Sequence, residues 1–344
     1  MLAAVTIAAT LAFAGSLPAR GSGVEVIRRD ADRRVDVVVD GRPFTSYVWP
    51  DTLKKPALYP IRTAKGTPVT RGFPLDPRPR ERVDHPHQVG LWFNYGNVNG
   101  IDFWNNSEAV AADRRGGMGS IVHRTVTQVK NGAERGELHT QADWVMPDGA
   151  VVLKQATAYV FHGTPVSRTI DLAVTLMAQD GLVSFADNKE GLLGLRVTRA
   201  LEEPTDKPEV FTDGDGRPSS VPALENTGVN GEYLTSEGVK GSAVWGTRGR
   251  WCRLAGRVGD EFVSIAIFDH PSNVGFPTYW HARGYGLFAA NPLGQKDLSG
   301  GREVLNFSLA ARQATTFRYR IAITSGAPTA ADVEAAWKAW STGS

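Results

Sequence analysis

Three short segments of the chain concentrate residue types able to transfer protons or grip a polar ligand. The first runs from Asp84 to Trp104 and begins Asp84-His85-Pro86-His87-Gln88. Side chains two positions apart in an extended chain point to the same side, so His85 and His87 are placed to converge on one substrate group or one metal ion. Imidazole changes charge near neutral pH and is the commonest general acid or base. Asp84 and Asp102 could orient an imidazole or accept from a hydroxyl. Trp92, Tyr95 and Trp104 add flat apolar faces beside the amides of Asn94, Asn97 and Asn99, the mixture a sugar-binding surface needs. The second segment, Pro277 to Lys296, carries His281 and Arg283 at the same spacing. There Gly284 and Gly286 bracket Tyr285, and Asn291 follows. Arg283 could hold a carboxylate or a polarised oxygen. The third is Asp187-Asn188-Lys189-Glu190-Gly191, where Glu190 is a candidate acid or base with Lys189 as its electrostatic partner.

Each segment also has a plainer reading. The imidazoles of the His-Pro-His loop can serve as backbone hydrogen-bonding groups, and buried aromatics usually pack. Asp187 to Gly191 has the composition of an ordinary turn. His123, His139, His162 and His270 lie within or beside expected strands and read as structural.

Taken together, the segments suggest an exported carbohydrate-active enzyme. His85, His87, Glu190 and His281 would supply catalytic acid–base groups. Arg71, Trp92, Asn99, Asp102, Trp104, Arg283, Tyr285 and Asn291 would contact a small sugar or glycoside. Cleavage, elimination and epimerisation are all open. For glycoside hydrolysis, which normally uses two carboxylates, Asp102 and Glu190 are the best pair. One alternative is a non-catalytic glycan-binding protein, which needs the aromatics and amides but not the imidazoles. Another is a metal-dependent oxygenase or hydrolase built on His85, His87 and His281, since three imidazoles can hold zinc, copper or iron. No other cofactor is expected. Cys252 is the only cysteine, which excludes an intramolecular disulfide and any cysteine-based metal cluster; it reads as a buried strand thiol beside Trp251.

The elements that must position these residues are mostly strands. Asp40-Gly41 between Val35–Val39 and Phe44–Val48 is a hairpin signal, as is Pro147-Asp148-Gly149 between Glu137–Val145 and Val151–Tyr159. Val166–Leu176, Leu182–Phe185, Gly191–Val197, Phe262–Phe268 and Tyr285–Ala290 continue the series. Phe317, Tyr319, Ile321 and Ile323 alternate with polar neighbours, as in a half-buried strand. Lys54 to Pro86 and Glu202 to Gly231 read as long loops. The one clear helix is terminal: Thr329 can cap it with Asp332 three residues on, and Val333, Ala336, Trp337 and Trp340 share a face. The expected fold is all-β, a large β-sandwich with a short C-terminal helix.

Composition agrees with a globular chain: of 344 residues, 42% are hydrophobic and 22% charged, with a net charge of +2 and no long Lys/Arg run to suggest nucleic-acid binding. Leu2 to Leu17 is an apolar run resembling a secretory h-region, with Ala12-Phe13-Ala14 as one cleavage pattern and a second after Ala19. Residues 1–19 are therefore expected to be a signal peptide and 20–344 a single β-sandwich domain. The protein would be secreted or held in the cell envelope or periplasm, with no membrane-spanning segment after cleavage. Oligomeric state is not legible.

Several of these motifs resemble a bacterial family of unknown function (DUF6807-type) that often carries the label "methane oxygenase PmoA". They are Arg71-Gly72-Phe73-Pro74, Asp84-His85-Pro86-His87, Leu91-Trp92-Phe93, Val98 to Trp104, Asp187 to Gly191, and His281 to Pro292. The resemblance spans roughly Val35 to Thr324. It implies proteins encoded among sugar-catabolism genes, with a β-sandwich similar to the galactose-mutarotase-like supersandwich. The label itself implies a membrane-associated copper protein. Against that, neither expected mature N-terminus, Gly15 or Arg20, offers a terminal histidine for copper.

Overall fold

The computed structural model describes residues 23–206, 208–212, 218–221 and 225–343. The expected signal segment lies outside the described residues. Two eight-stranded antiparallel sheets share one core. The first runs, edge to edge, Val24–Arg29, Arg34–Val39, Arg42–Val48, Ala57–Leu58, Leu91–Tyr95, Gly191–Arg196, Leu287–Asn291 and Tyr279–Arg283. The second runs Glu232–Thr235, Trp251–Val258, Glu261–Asp269, Ala314–Ser325, Ser167–Ala178, Val151–Gly163, Arg135–Val145 and Ser120–Lys130. The all-β sandwich read from the sequence is the architecture found.

Alternation decides which residues enter the core. On the second sheet Ile170, Leu172 and Val174 pair with Ile321, Tyr319 and Phe317, and Leu176 and Ile323 extend the two rows, all buried. On the first sheet Leu91, Phe93, Tyr95, Leu193, Leu195, Phe288, Ala290, Trp280 and Ala282 point into the same core. Their neighbours must then point away from the sandwich. In one row across four strands, Trp92 pairs with Gly194, Gly194 with Ala289, and Ala289 with His281. Trp92, Trp104, Ala57, Leu287 and Ala289 form a separate small apolar cluster on this outer face, with Tyr285 packed against it.

The Asp40-Gly41 hairpin closes with both residues at positive φ, 50° and 69°, as a type I′ turn requires. The terminal helix spans Ala330–Ser341 and has the full capping box between Thr329 and Asp332. It lays Val333, Trp337 and Trp340 on Trp251 and Phe268, and Cys252 is fully buried. Ser120–Lys130 is a strand the alternation did not reveal. Its register slips between His123 and Thr125 and again between Val126 and Gln128, which breaks the period of two. The Glu202–Gly231 stretch holds a small hairpin, Glu209–Thr212 with Pro218–Val221, instead of being wholly loop. Among the described residues no helix is long and apolar enough to cross a membrane.

Gly194 is required by this packing, because a Cβ there would lie 2.4 Å from Cζ2 of Trp92. Gly194→Ala should therefore lower stability by about 1–3 kcal/mol through overpacking. Urea denaturation checks this, and an unchanged midpoint would show that the indole shifts freely.

Candidate acid–base site on the outer face of the first sheet

The site begins with a buried carboxylate between two guanidiniums. Asp84 accepts from Arg71 Nη1 at 3.1 Å and from Arg196 Nη2 at 3.0 and 3.1 Å. Arg71 and Arg196 are 1% and 0% exposed, so neither charge can be left to water. Burial works against the charge of Asp84, but Arg196, the hydrogen bond from His85 and Arg71 outweigh it. The carboxyl is thus held well below its ordinary range. Arg71 also donates to the carbonyls of Asp84, His85 and Gln88 at 2.7, 3.0 and 3.0 Å, so one side chain fixes the whole Asp84–Gln88 turn. Arg196 reaches the same turn through Gln88 Oε1.

This clamp holds His85 in an unusual place. Its φ is +44°, a left-handed conformation that side chains other than glycine seldom adopt and that recurs at functional sites. His85 Nδ1 bonds to Asp84 Oδ2, and its ring stacks on Tyr285 with centroids 5.1 Å apart and planes 7° from parallel. Burial lowers the pKa of His85 despite the pull of Asp84. The ring is therefore neutral near pH 7, with its proton on Nδ1 and its lone pair on Nε2. His87 lies edge-on to it at 5.6 Å. The two histidines do converge, but through a turn closed by Gln88 N to His85 O, not through an extended chain. His87 is buried, its Nε2 has no hydrogen-bond partner among the described residues, and burial pushes its pKa well below the usual value.

The second half of the site is the Asp187–Gly191 turn. Asp187 accepts from the backbone of Lys296, Leu305 and Asn306, while Asp297 accepts from the backbone of Lys189. Asn291 Nδ2 donates to the carbonyls of Asn188 and Lys189 at 2.8 and 3.0 Å. His281 Nδ1 donates to the Lys189 carbonyl at 2.8 Å and lies 3.9 Å from Glu190 Oε2. Burial takes His281 down to about 4, against the pull of Glu190. It too is neutral at pH 7 with Nε2 as acceptor. Glu190 pairs with Lys189; burial opposes its charge, but His281 and Lys189 keep its pKa below the ordinary value.

Tyr285 joins the two halves. It stacks on His85, the guanidinium of Arg196 lies 4.8 Å from its centroid, and Glu190 is the main charge that raises its pKa beyond the effect of burial, to about 12. His85 in turn acts electrostatically on Glu190. Beside Tyr285 opens a cleft of about 530 Å³ walled by Glu203, Pro204, Thr205, Ser242, Trp245 and Arg283, among others. Glu203 is raised to about 7, by burial and then by Glu232. The arrangement thus offers two neutral imidazoles basic at Nε2, one stacked on Tyr285 and one edge-on to Trp245, with one ionised carboxylate and one carboxyl that is part-protonated at neutral pH.

The three segments therefore meet in space, and most residues expected to touch a sugar are placed as supports of the site. Arg71 has both terminal nitrogens committed to the Asp84–Gln88 turn. Trp92 and Trp104 are 2% and 0% exposed and pack on each other, so neither offers a stacking face. Asp102 accepts from the backbone of Trp104 and Asn105 and from the Asn105 amide, closing its own turn. Asn99 spends its amide on Leu182 and Ser184. Asn291 is wholly buried beneath the Glu190 turn. Only Arg283 and Tyr285 of that set wall the cleft. Residues the sequence reading missed are Arg196, Glu203, Trp245 and Lys55. Arg196 had a signal, being a lone charge in the otherwise apolar strand Gly191–Arg196. Lys55 is buried, donates to the His87 carbonyl at 2.7 Å and is lowered by burial to about 7. As to a metal, no group of three or more His, Cys, Asp or Glu among the described residues is arranged to hold one. His85 and His281 already spend Nδ1 on protein partners.

Replacing Asp84 by Asn would leave two guanidiniums buried against a neutral amide. Asp84→Asn should cost about 3–5 kcal/mol of stability at pH 7, read by urea denaturation. Because the native pKa is depressed, the contribution of Asp84 is complete above about pH 4 and is lost as the pH falls further. The gap between wild type and variant should accordingly narrow in acid. A gap that is absent at pH 7, or that widens in acid, would contradict the clamp.

Comparison with known proteins finds no match among curated proteins. Among solved structures, the chain is similar to a putative aldose 1-epimerase from Escherichia coli K12, with 12% identity, a TM-score of 0.34, and coverage of 89% of this chain and 100% of that one. It is similar to a galactose mutarotase related enzyme from Lactobacillus acidophilus, with 11% identity, a TM-score of 0.32, and coverage of 89% and 98%. It is also similar to the galactosidase domain of an alpha-galactosidase-sucrose kinase, with 9% identity, a TM-score of 0.40, and coverage of 88% of this chain but 42% of that one. The chain thus spans less than half the length of that galactosidase domain chain. A family model matches residues 34–338, nearly the whole of the described sandwich, and the chain belongs to that family of unknown function, DUF6807.

Proposed function

We propose that this protein is an exported carbohydrate-active enzyme that binds a small sugar or glycoside in the Tyr285 cleft and moves protons on it with His85 and His281, beside the ionised carboxylate of Glu190. Export rests on the apolar run from Leu2 to Leu17. The observation that carries the reading is the placing of two pre-organised pairs, Asp84–His85 and Glu190–His281, against the two aromatic residues that wall one open cleft, Tyr285 and Trp245. Asp84 orients His85 and fixes its tautomer, so that Nε2 is the basic atom. The Lys189 carbonyl does the same for His281. Half-protonated Glu203 is the nearby group able to donate a proton at neutral pH.

This arrangement favours elimination or epimerisation over hydrolysis by a carboxylate pair. Asp102, the expected partner of Glu190 in hydrolysis, is occupied by its own turn. In an epimerisation or elimination, Nε2 of one imidazole takes a proton from the sugar. A proton is then returned to the opposite face, or to the leaving oxygen, by the acid. Lys189 and Arg196 balance the charge of Glu190 and Asp84 throughout, so neither carboxylate needs to change protonation. His87 is a packing neighbour of His85 in this scheme, its ring edge-on to that of His85 and its backbone carbonyl held by Lys55.

Proton NMR of a panel of reducing sugars and glycosides in deuterated buffer tests this. Wild type should show turnover. His85→Ala and His281→Gln should each lose about 10²–10⁴-fold in kcat while keeping ligand affinity within a few-fold. The acid limb of the wild-type kcat/KM profile should fall as pH drops through about 4, where His281 becomes protonated, and should move in His281→Gln. Sugars that bind wild type and both variants equally, with no turnover by any of them, would replace this reading with a glycan-binding protein.

A further inference from the structure

Several arginines crowd the site, and most are spent on the protein itself. Arg71 and Arg196 hold Asp84, and Arg82 and Arg199 hold the buried carboxylate of Glu202. Arg283 differs. It is exposed at the end of strand Tyr279–Arg283 and walls the cleft. Its guanidinium makes no hydrogen bond or ion pair among the described residues. Instead it lies over two aromatic rings, 5.9 Å from the centroid of Trp245 and 5.8 Å from that of Tyr285. Neither ring contact uses an N–H donor, so the guanidinium walls the cleft with its fork uncommitted among the described residues.

Glu203, which also walls the cleft, has its backbone N–H bonded to the Gly284 carbonyl at 2.8 Å, which sets its carboxyl beside the same glycine without pairing it to Arg283. We propose that the cleft selects an anionic sugar, a uronic acid or uronide, whose carboxylate is taken bidentately by Arg283 while its ring lies along Tyr285 toward His85 and Glu190. The proposal rests on the acid–base reading above and names its substrate class. The other charges facing the cleft are consistent with it. Glu203 carries a proton part of the time at neutral pH and can then donate to the ligand, and Asp206 sits exposed at the rim, where water screens it. Lys189 is already paired with Glu190. A single fork between two apolar faces suits a planar carboxylate better than a dianionic phosphate, which would face Glu203 and Asp206 with only one guanidinium to offset it. The cleft volume of about 530 Å³ is in the range for a small ligand.

Calorimetric titration of the full-length mature protein with matched probes decides this. The probes are methyl glucuronide against methyl glucoside, methyl galacturonide against methyl galactoside, and glucose 6-phosphate. At least one uronide should bind about tenfold or more tightly than its neutral partner, and Arg283→Gln should erase that preference. Arg283→Lys, which keeps the charge but not the fork, should recover only part of it. Arg283 is exposed and makes no hydrogen bond or ion pair among the described residues, so both variants should keep the wild-type melting temperature to within a few degrees, and circular dichroism checks that they do. Three results would overturn the proposal: no uronide preference in wild type, a preference that survives in Arg283→Gln, or glucose 6-phosphate binding above both uronides. Neutral glycosides bound and turned over as well as uronides would sink the acidic substrate class while leaving the acid–base reading intact. Uronide binding that needs Arg283 but is never followed by turnover would do the reverse.

Discussion

The charge cluster Arg71–Asp84–Arg196 is the constraint on which the rest of the site depends. A carboxylate this deep is tolerable only because two guanidiniums meet it, and two guanidiniums this deep are tolerable only because the carboxylate and a ring of backbone carbonyls meet them. Such a cluster contributes little net stability compared with a well-packed apolar core, but it leaves the turn one acceptable geometry. That geometry forces His85 into a left-handed conformation, fixes the tautomer of its ring and presses the ring flat on Tyr285. The strain at His85 is thus held in place by electrostatics on one side and aromatic packing on the other.

The sandwich supplies the platform. Its inner faces take up most of the large apolar residues, so the outer face of the first sheet is left to carry Trp92, Arg196, His281 and Arg283. Gly194 and Ala289 are small there, which lets Trp92 lie across the strands as a floor and keeps the row open toward His281. The Glu190 turn is then tied to the opposite edge through Asn291, His281 and Asp187. The two halves come from distant parts of the chain. They are brought together because strands Leu91–Tyr95, Gly191–Arg196, Leu287–Asn291 and Tyr279–Arg283 are consecutive neighbours in one sheet.

Much of this was legible before the structure, for local reasons. His281 and Arg283 share a face because a strand has a period of two, and the terminal helix follows from its cap and its aromatic stripe. Asp187 to Gly191 looked like a turn, and it is one. What the sequence concealed is long-range. Trp92 and Trp104 resemble binding-site aromatics by type, and only the loops that cover them make them core. Asp102 and Asn99 have the right functional groups, but each spends them on neighbours its local pattern does not name. Glu203 is ordinary in sequence. Its raised pKa comes from burial in a wall formed with Trp245 and Arg283, which lie far along the chain.

The central claim is that His85 and His281 act together on one ligand, each through Nε2. Nitrogen-15 NMR of histidine-labelled protein at neutral pH, with and without a bound sugar, measures this directly. The account requires both rings to carry their proton on Nδ1 in the free protein and both Nε2 resonances to shift when ligand is added. A free protein with either ring protonated on Nε2 instead, or a ligand that moves one ring and leaves the other unchanged, would contradict it.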